Sequence, residues 1–170
     1  LYRGQAVDSV LAGSMAQASF DAYMLPRHIG LYSGVAQQVP ALAVQRICAT
    51  GFELLRQAAG QLHDGIELAL CVGTESMSRN PIAAYTHRGG FRLGAPVEFK
   101  DFLWEALYDP APGVDMIATA ENLAKDYGLS REAVDGYALN SHQQALRAQA
   151  SGWLGDEIVT LRNEVFELAG

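Results

Sequence analysis

From residue 7 to residue 72 short apolar runs alternate with stretches of helical periodicity, and this alternation limits the choice of fold more than any other feature of the chain. Val7-Asp8-Ser9-Val10-Leu11-Ala12-Gly13 reads as a strand, Ala22 to Leu31 as a helix with Pro26 near its first turn, and 41–47 as a second strand after Pro40. A helix is expected over 51–63, where Leu54, Leu55, Ala58, Ala59 and Leu62 recur at the spacing of one helical face, and a third strand over 66–72. Strands separated by helices pair in parallel, because a parallel neighbour needs a long crossover to reach it. The expected class is therefore α/β, with a mostly parallel sheet layered against helices. From about Asn80 the pattern changes. An irregular, Gly- and Pro-containing stretch leads to helices near 114–127 and 131–150, the latter capped by Ser130 with Glu132 in its first turn, and the strand-like Glu157-Ile158-Val159 follows. Two regions result, an α/β core over 1–79 and a helix-rich region over 80–170.

One cysteine falls at a chemically favoured place in this pattern. Cys48 lies between the strand and the helix, so unpaired N–H groups and the positive end of the helix dipole point at it. Such a setting lowers a thiol pKa, and the thiolate is the nucleophilic form. Cys71 ends the apolar run Ile66-Glu67-Leu68-Ala69-Leu70 and is expected to be packed in the core, as free cysteines commonly are. Gly51 either permits a close approach behind Cys48 or merely tolerates the turn.

Four blocks of sequence carry a family resemblance. Gln45-Arg46-Ile47-Cys48-Ala49-Thr50-Gly51 is similar to the nucleophile motif of the thiolases, N-R-x-C-x-S-G. Val72-Gly73-Thr74-Glu75-Ser76-Met77-Ser78-Arg79 resembles the G-G-x-E-x-M-S segment of that family. Asp115-Met116-Ile117-Ala118-Thr119-Ala120-Glu121-Asn122-Leu123-Ala124 resembles its M-G-x-T-A-E-x-x-A helix. The run from Ser130 to Ala145, opening Ser130-Arg131-Glu132, resembles the S-R-E helix that follows. All four occur in the family's order across nearly the whole chain.

The resemblance implies a thiolase-like layered α/β domain, the first half of a duplicated fold, with part of an inserted helical loop domain. It implies acyl transfer that forms or cleaves 3-ketoacyl-CoA through an acyl-cysteine on Cys48, with Met116 near the acyl pocket. Coenzyme A and acyl-CoA enter as substrates, no cofactor is permanently bound, no metal is needed, and a homodimer or homotetramer is the natural assembly. Two departures lie inside the nucleophile motif: Gln45 stands for asparagine and Thr50 for serine. Asp115 replaces the histidine of many biosynthetic members, which bears on acyl-chain preference. The family's G-H-P histidine, C-x-G-G cysteine and N-E-A-F segment do not occur, and His28, His63, His87 and His142 match no catalytic position. The chain is thus expected to be an internal, amino-terminal piece of a longer enzyme, inactive by itself. A noncatalytic acyl-CoA-binding or scaffold protein and a β-ketoacyl-synthase-type condensing enzyme are the competing readings. The Glu75-Ser76-Met77-Ser78 and Thr119-Ala120-Glu121 blocks favour thiolase over the latter.

Composition narrows the partners. With 170 residues, 49% hydrophobic and 18% charged, the chain can bury a core, and its net charge of −7 argues against a nucleic-acid partner. Coenzyme A is anionic too, so contact with it would need a local basic patch, for which Arg79, Arg88, Arg92 and Lys100 are the candidates. Two cysteines do not suggest disulfides, and no stretch approaches the roughly 18 apolar residues that span a bilayer. A cytoplasmic setting is expected, with an organelle-targeting peptide compatible with the absent initiator methionine.

Overall fold

The computed structural model of the chain describes residues 7–16 and 22–161. Two compact units divide between Met116 and Ile117.

The first unit is built on a parallel three-stranded sheet of order β2-β1-β3, formed by β1 (Ser9–Gly13), β2 (Ala41–Ala43) and β3 (Ala69–Gly73). Val10, Leu11 and Ala12 pair with Ala41, Leu42 and Ala43 on one side, and Ser9 to Gly13 pair with Ala69 to Gly73 on the other. As the central strand, β1 is buried along its whole length, which is why it reads as a continuous apolar run rather than an alternating one. Val10 and Leu11 are the two largest fully buried side chains, and as neighbours in a strand they point to opposite faces. Val10 meets α1 (Leu25–Tyr32), where its Cγ2 would lie 3.3 Å from a Cβ added at Gly30. Leu11 meets α2 (Thr50–His63) in a cluster with Val44, Leu54 and Ala58, against which Ala69 and Cys71 pack. The sheet is thus covered by one helix on each face, the layered α/β arrangement expected for alternating strands and helices. Pro26 occupies the first turn of α1, where its missing N–H costs nothing.

Three local expectations are corrected. The strand expected over 41–47 closes at Ala43, because the chain turns away to build the loop that precedes α2. The stretch after Asn80 is not simply irregular: Ile82–Ala83 (β4) pairs with Lys100–Asp101 (β5), and Tyr108–Asp109 (β6) with Val114–Asp115 (β7), both antiparallel. Between them lies the single helical turn α3 (Phe102–Glu105), capped by the Asp101 carboxylate, which accepts from the Leu103 and Trp104 N–H groups. Glu157-Ile158-Val159 forms no strand; it follows a turn with no neighbour to pair with among the described residues.

Helix α4 (Met116–Asp126) begins at the division, and the second unit also carries α5 (Arg131–Ala150). Ser130 caps α5 by accepting from the Ala133 N–H at 3.2 Å, and Arg131 and Asp135 pair one turn apart at 2.9 Å. The face expected from Val134, Ala138, Ser141, Ala145 and Ala148 holds no buried residue. Among the described residues no helix is long and apolar enough to cross a membrane.

Candidate active site

Three loops leave the carboxyl ends of the parallel strands: Ser14–Ala16 after β1, Val44–Ala49 after β2, and Thr74–Ser76 after β3. This edge is where α/β sheets place their ligands, since loops there converge without having to cover the strands. Cys48 sits on the middle loop, two residues before the first residue of α2 and next to its N-cap, Ala49. It is exposed. The strand does not lead straight into it, as expected from sequence; four residues intervene after Ala43, and they form a tight turn.

That turn is strained. Ile47, immediately before the cysteine, has φ of +49°, a left-handed conformation that a β-branched side chain disfavours by roughly 1–2 kcal/mol. Thr50 holds it in place. Its hydroxyl donates to the Ile47 carbonyl at 2.6 Å and accepts from the Arg46 N–H at 2.8 Å, while its own N–H returns to the Ile47 carbonyl at 3.1 Å. The Ala49 N–H bonds the Arg46 carbonyl at 3.0 Å. Thr50 therefore serves where a serine would, because both bonds use the hydroxyl that the two residues share.

The end of β1 packs hard against this turn. A Cβ on Gly13 would come within 2.3 Å of the Thr50 methyl and 2.5 Å of the Val44 carbonyl oxygen, so only glycine fits. Close approach behind the cysteine is thus the work of Gly13. A Cβ on Gly51 would meet open space among the described residues, which leaves that glycine the weaker of its two expected uses.

Arg46 turns the other way, to Glu53 at 2.9 Å on the first turn of α2. Glu53 also accepts from Arg56 and from Gln57, the latter at 2.8 Å, and its side chain is only 10% exposed. The Arg56 guanidinium, then Gln57 and Arg46, hold its carboxyl down at about 2, against desolvation, which pushes the other way. A cavity of about 490 Å³ opens here between β2 and α2; its ionised groups are satisfied by one another and no nucleophile is among its described lining.

Cys48 lines a different cavity of about 260 Å³, together with Ile47, Leu107, Tyr108, Pro110 and Met116. The structure thus brings together the two residues singled out in the sequence, Cys48 and Met116. Met116 is set there by its N–H, which donates to the Leu107 carbonyl at 3.1 Å across the β6–β7 hairpin. The rest of the lining was not legible from periodicity. It includes Tyr108, Asp109 and Pro110, whose loop is fixed by the Asp109 carboxylate accepting from the Ala111 N–H at 2.9 Å and by Gly113 at φ +74°. The signal was the turn chemistry of Asp109-Pro110-Ala111-Pro112-Gly113 between Tyr108 and Val114, which marks a hairpin.

Cys71 is half-buried, its Sγ 3.8 Å from the Leu54 carbonyl, and burial raises its thiol pKa. Of the basic candidates, Lys100 is drawn to Glu98 at 3.4 Å and Glu105 at 3.7 Å, whereas Arg88 and Arg92 lie on the exposed loop between β4 and β5. Among the described residues no cluster of His, Cys, Asp and Glu could hold a metal ion.

Comparison with known proteins identifies the family and the fold. A family model described as "Thiolase, N-terminal domain" matches residues 3–167. The mitochondrial 3-ketoacyl-CoA thiolase of Homo sapiens is 39% identical over 158 residues, which cover 92% of this chain and 40% of that protein. The crystal structure of the human enzyme in complex with CoA superposes with a TM-score of 0.86 at 39% identity, over 91% of this chain and 39% of that one. The acetyl-CoA acetyltransferase of Bacillus anthracis superposes with a TM-score of 0.84 at 35% identity, over 96% and 42%. The chain therefore spans about 40% of the length of the curated relatives it matches.

Proposed function

The chain belongs to the thiolase family, and from that premise we propose that it is the nucleophile-bearing part of an acyl-CoA acyltransferase that forms or cleaves 3-ketoacyl-CoA. The observation that carries the proposal is Cys48, exposed on a strained turn at the carboxyl edge of the sheet and facing a cavity shared with Met116. In this reading the Cys48 thiolate attacks the carbonyl carbon of an acyl-CoA thioester. The tetrahedral oxyanion collapses by expelling the coenzyme A thiolate, which takes up a proton, and an acyl-cysteine remains. Free coenzyme A then removes the acyl group in the degradative direction; in the synthetic direction the α-carbanion of a second acyl-CoA does so, forming a carbon–carbon bond. The Cys48 backbone N–H, beside the start of α2, is the donor we assign to the oxyanion. Met116 and the Tyr108–Pro110 segment form the wall against which the acyl end of the substrate rests. The proton-transfer groups and the second oxyanion donor belong to the remainder of the enzyme, as does assembly into a homodimer or homotetramer. Coenzyme A is substrate rather than resident cofactor, the helix-rich region after residue 80 is the opening of the loop domain that helps bind it, and the setting is the cytoplasm or an organelle.

Incubating the complete polypeptide with acetyl-CoA, quenching in acid and mapping peptides by mass spectrometry tests the proposal. The acetyl mass is expected on the peptide containing Cys48 and is expected to vanish in Cys48→Ser. Acetyl mass on another side chain, or on none while acetyl-CoA still binds, would overturn the catalytic reading in favour of a noncatalytic acyl-CoA-binding protein.

A further inference from the structure

We infer that Glu75 is a positioning residue for Cys48, acting through a single peptide plane that it shares with Gln45. The inference rests on the reading of Cys48 as acyl acceptor. The plane is the Met15–Ala16 peptide. Its carbonyl oxygen accepts from the Gln45 side-chain amide at 3.1 Å, and its N–H donates to Glu75 Oε2 at 3.0 Å. In a trans peptide these two groups point in opposite directions from a rigid unit. The plane is therefore a crossbar, with one end on the loop that carries the nucleophile and the other on the loop after β3. The second Glu75 oxygen reinforces the grip. Oε1 accepts from the Ser14 hydroxyl at 3.1 Å and from the Ser76 N–H at 3.3 Å, so one carboxylate ties the loops after β1 and β3 together. The ladder between β1 and β3 runs directly into this clasp, since the Thr74 N–H donates to the Gly13 carbonyl at 3.0 Å.

The mechanics follow from planarity. Without Glu75 the Ala16 N–H keeps no hydrogen-bond partner among the described residues, the plane is free to rotate, and rotation carries the Met15 carbonyl away from Gln45. Gln45 is three residues before Cys48, and the turn between them already holds Ile47 at φ +49°. A strained turn released at one anchor relaxes, and the sulfur moves relative to the cavity. Gln45 is one methylene longer than the asparagine of the family motif, and here that length is used to reach the crossbar rather than the substrate.

The experiment uses the complete polypeptide and single-turnover acylation by acetyl-CoA, with the acyl group located by mass spectrometry. Glu75→Ala and Gln45→Ala should each slow acylation of Cys48 by about 10- to 100-fold, the loss that a misplacement near 1 Å produces. KM should stay within about threefold, because uniform substrate binding is untouched. The double variant should be no slower than the slower single one, since both residues act on one peptide. Glu75→Gln keeps one acceptor oxygen and should lose less than Glu75→Ala. Acylation of Glu75→Ala at the wild-type rate, losses that multiply in the double variant, or a change confined to KM would each overturn the inference. If Glu75→Ala does not fold by circular dichroism, the same cycle between Gln45→Ala and Glu75→Gln decides. A wild-type enzyme that carries no acyl group on Cys48 sinks the underlying reading instead, and the same spectra show which of the two has failed.

Discussion

Replacing Thr50 with valine removes a hydroxyl and almost nothing else, and so isolates what holds the nucleophile turn. Valine keeps a methyl group to pack toward Gly13, and Thr50 is only 6% exposed, so water cannot readily substitute for the lost oxygen. The Ile47 carbonyl keeps a donor in the N–H of residue 50, but the Arg46 N–H loses its partner. The lost bond is partly buried, and a donor left unpaired in such a place costs up to about 1–3 kcal/mol. The left-handed turn at Ile47 costs roughly 1–2 kcal/mol in the first place. The strap and the strain are therefore of similar size, and without the strap the turn is left to its backbone bonds and to the Gln45 anchor. Each 1.4 kcal/mol shifts the balance between held and relaxed turns about tenfold, so acylation of Cys48 should fall by roughly 5- to 100-fold. Thr50→Ser retains both hydroxyl bonds and should stay within about threefold of wild type.

A second substitution makes the reasoning refutable. Glycine adopts positive φ without penalty, so Ile47→Gly removes the strain that the strap opposes. In the Ile47→Gly, Thr50→Val double variant most of the lost acylation rate should return, although both positions have been changed. The assay is single-turnover acylation by acetyl-CoA in the complete polypeptide, with fold checked by circular dichroism. Equal rates for Thr50→Val and Thr50→Ser would refute the strap. A double variant slower than Thr50→Val would refute the strain.

Three further outcomes follow from the same geometry. Iodoacetamide near neutral pH should label Cys48 well before Cys71, because Cys48 is exposed while burial raises the Cys71 pKa and hides its sulfur; peptide mapping at early times reads this, and equal labelling contradicts it. Glu53, with its carboxyl held at about 2 against an ordinary 4.5, contributes stability that is full above the ordinary value and is lost as pH falls towards the folded one. Glu53→Gln should accordingly flatten the acid limb of the stability curve between about pH 5 and 2, and an unchanged limb in acid titrations followed by circular dichroism would count against the cluster. Helix α2 buries Leu54 and Ala58 but leaves Phe52 80% and Leu55 63% exposed, so the 170-residue chain by itself should bind a hydrophobic dye strongly, and Phe52→Ser with Leu55→Gln should reduce that binding.

The parts of this fold that could be read in the sequence are those in which burial imposes a period. Val10-Leu11-Ala12 is apolar throughout because β1 is central and covered on both faces, and α2 repeats at helical spacing because it lies along the sheet. The four motif blocks located Cys48 and Met116, and the fold then set both on one cavity. What escaped periodicity was built from elements too short to have any. The β6–β7 hairpin, with its two-residue strands, lines the cavity together with the cysteine, and its pairing is decided by the Asp109 turn rather than by any pattern of hydrophobicity. The crossbar escaped for another reason: it joins Met15, Gln45 and Glu75, which are distant in sequence and meet only because parallel strands end at one edge. Helix α2 ties these lessons together. Leu54, Leu55, Ala58, Ala59 and Leu62 look like one face in sequence, yet Leu54 and Ala58 pack on the sheet while Leu55 and Leu62 turn outward beside Phe52. A helix apolar around so much of its circumference is one made to be covered twice. Full burial of a leucine or phenylalanine is worth about 1.5–3 kcal/mol, so the surface still exposed on Phe52 (80%), Leu55 (63%) and Leu62 (47%) amounts to roughly 3–6 kcal/mol, a large share of a domain's net stability. The helix that presents the nucleophile is thus only half packed among the described residues, and the apolar surface left on its outer face outweighs the strap beneath it.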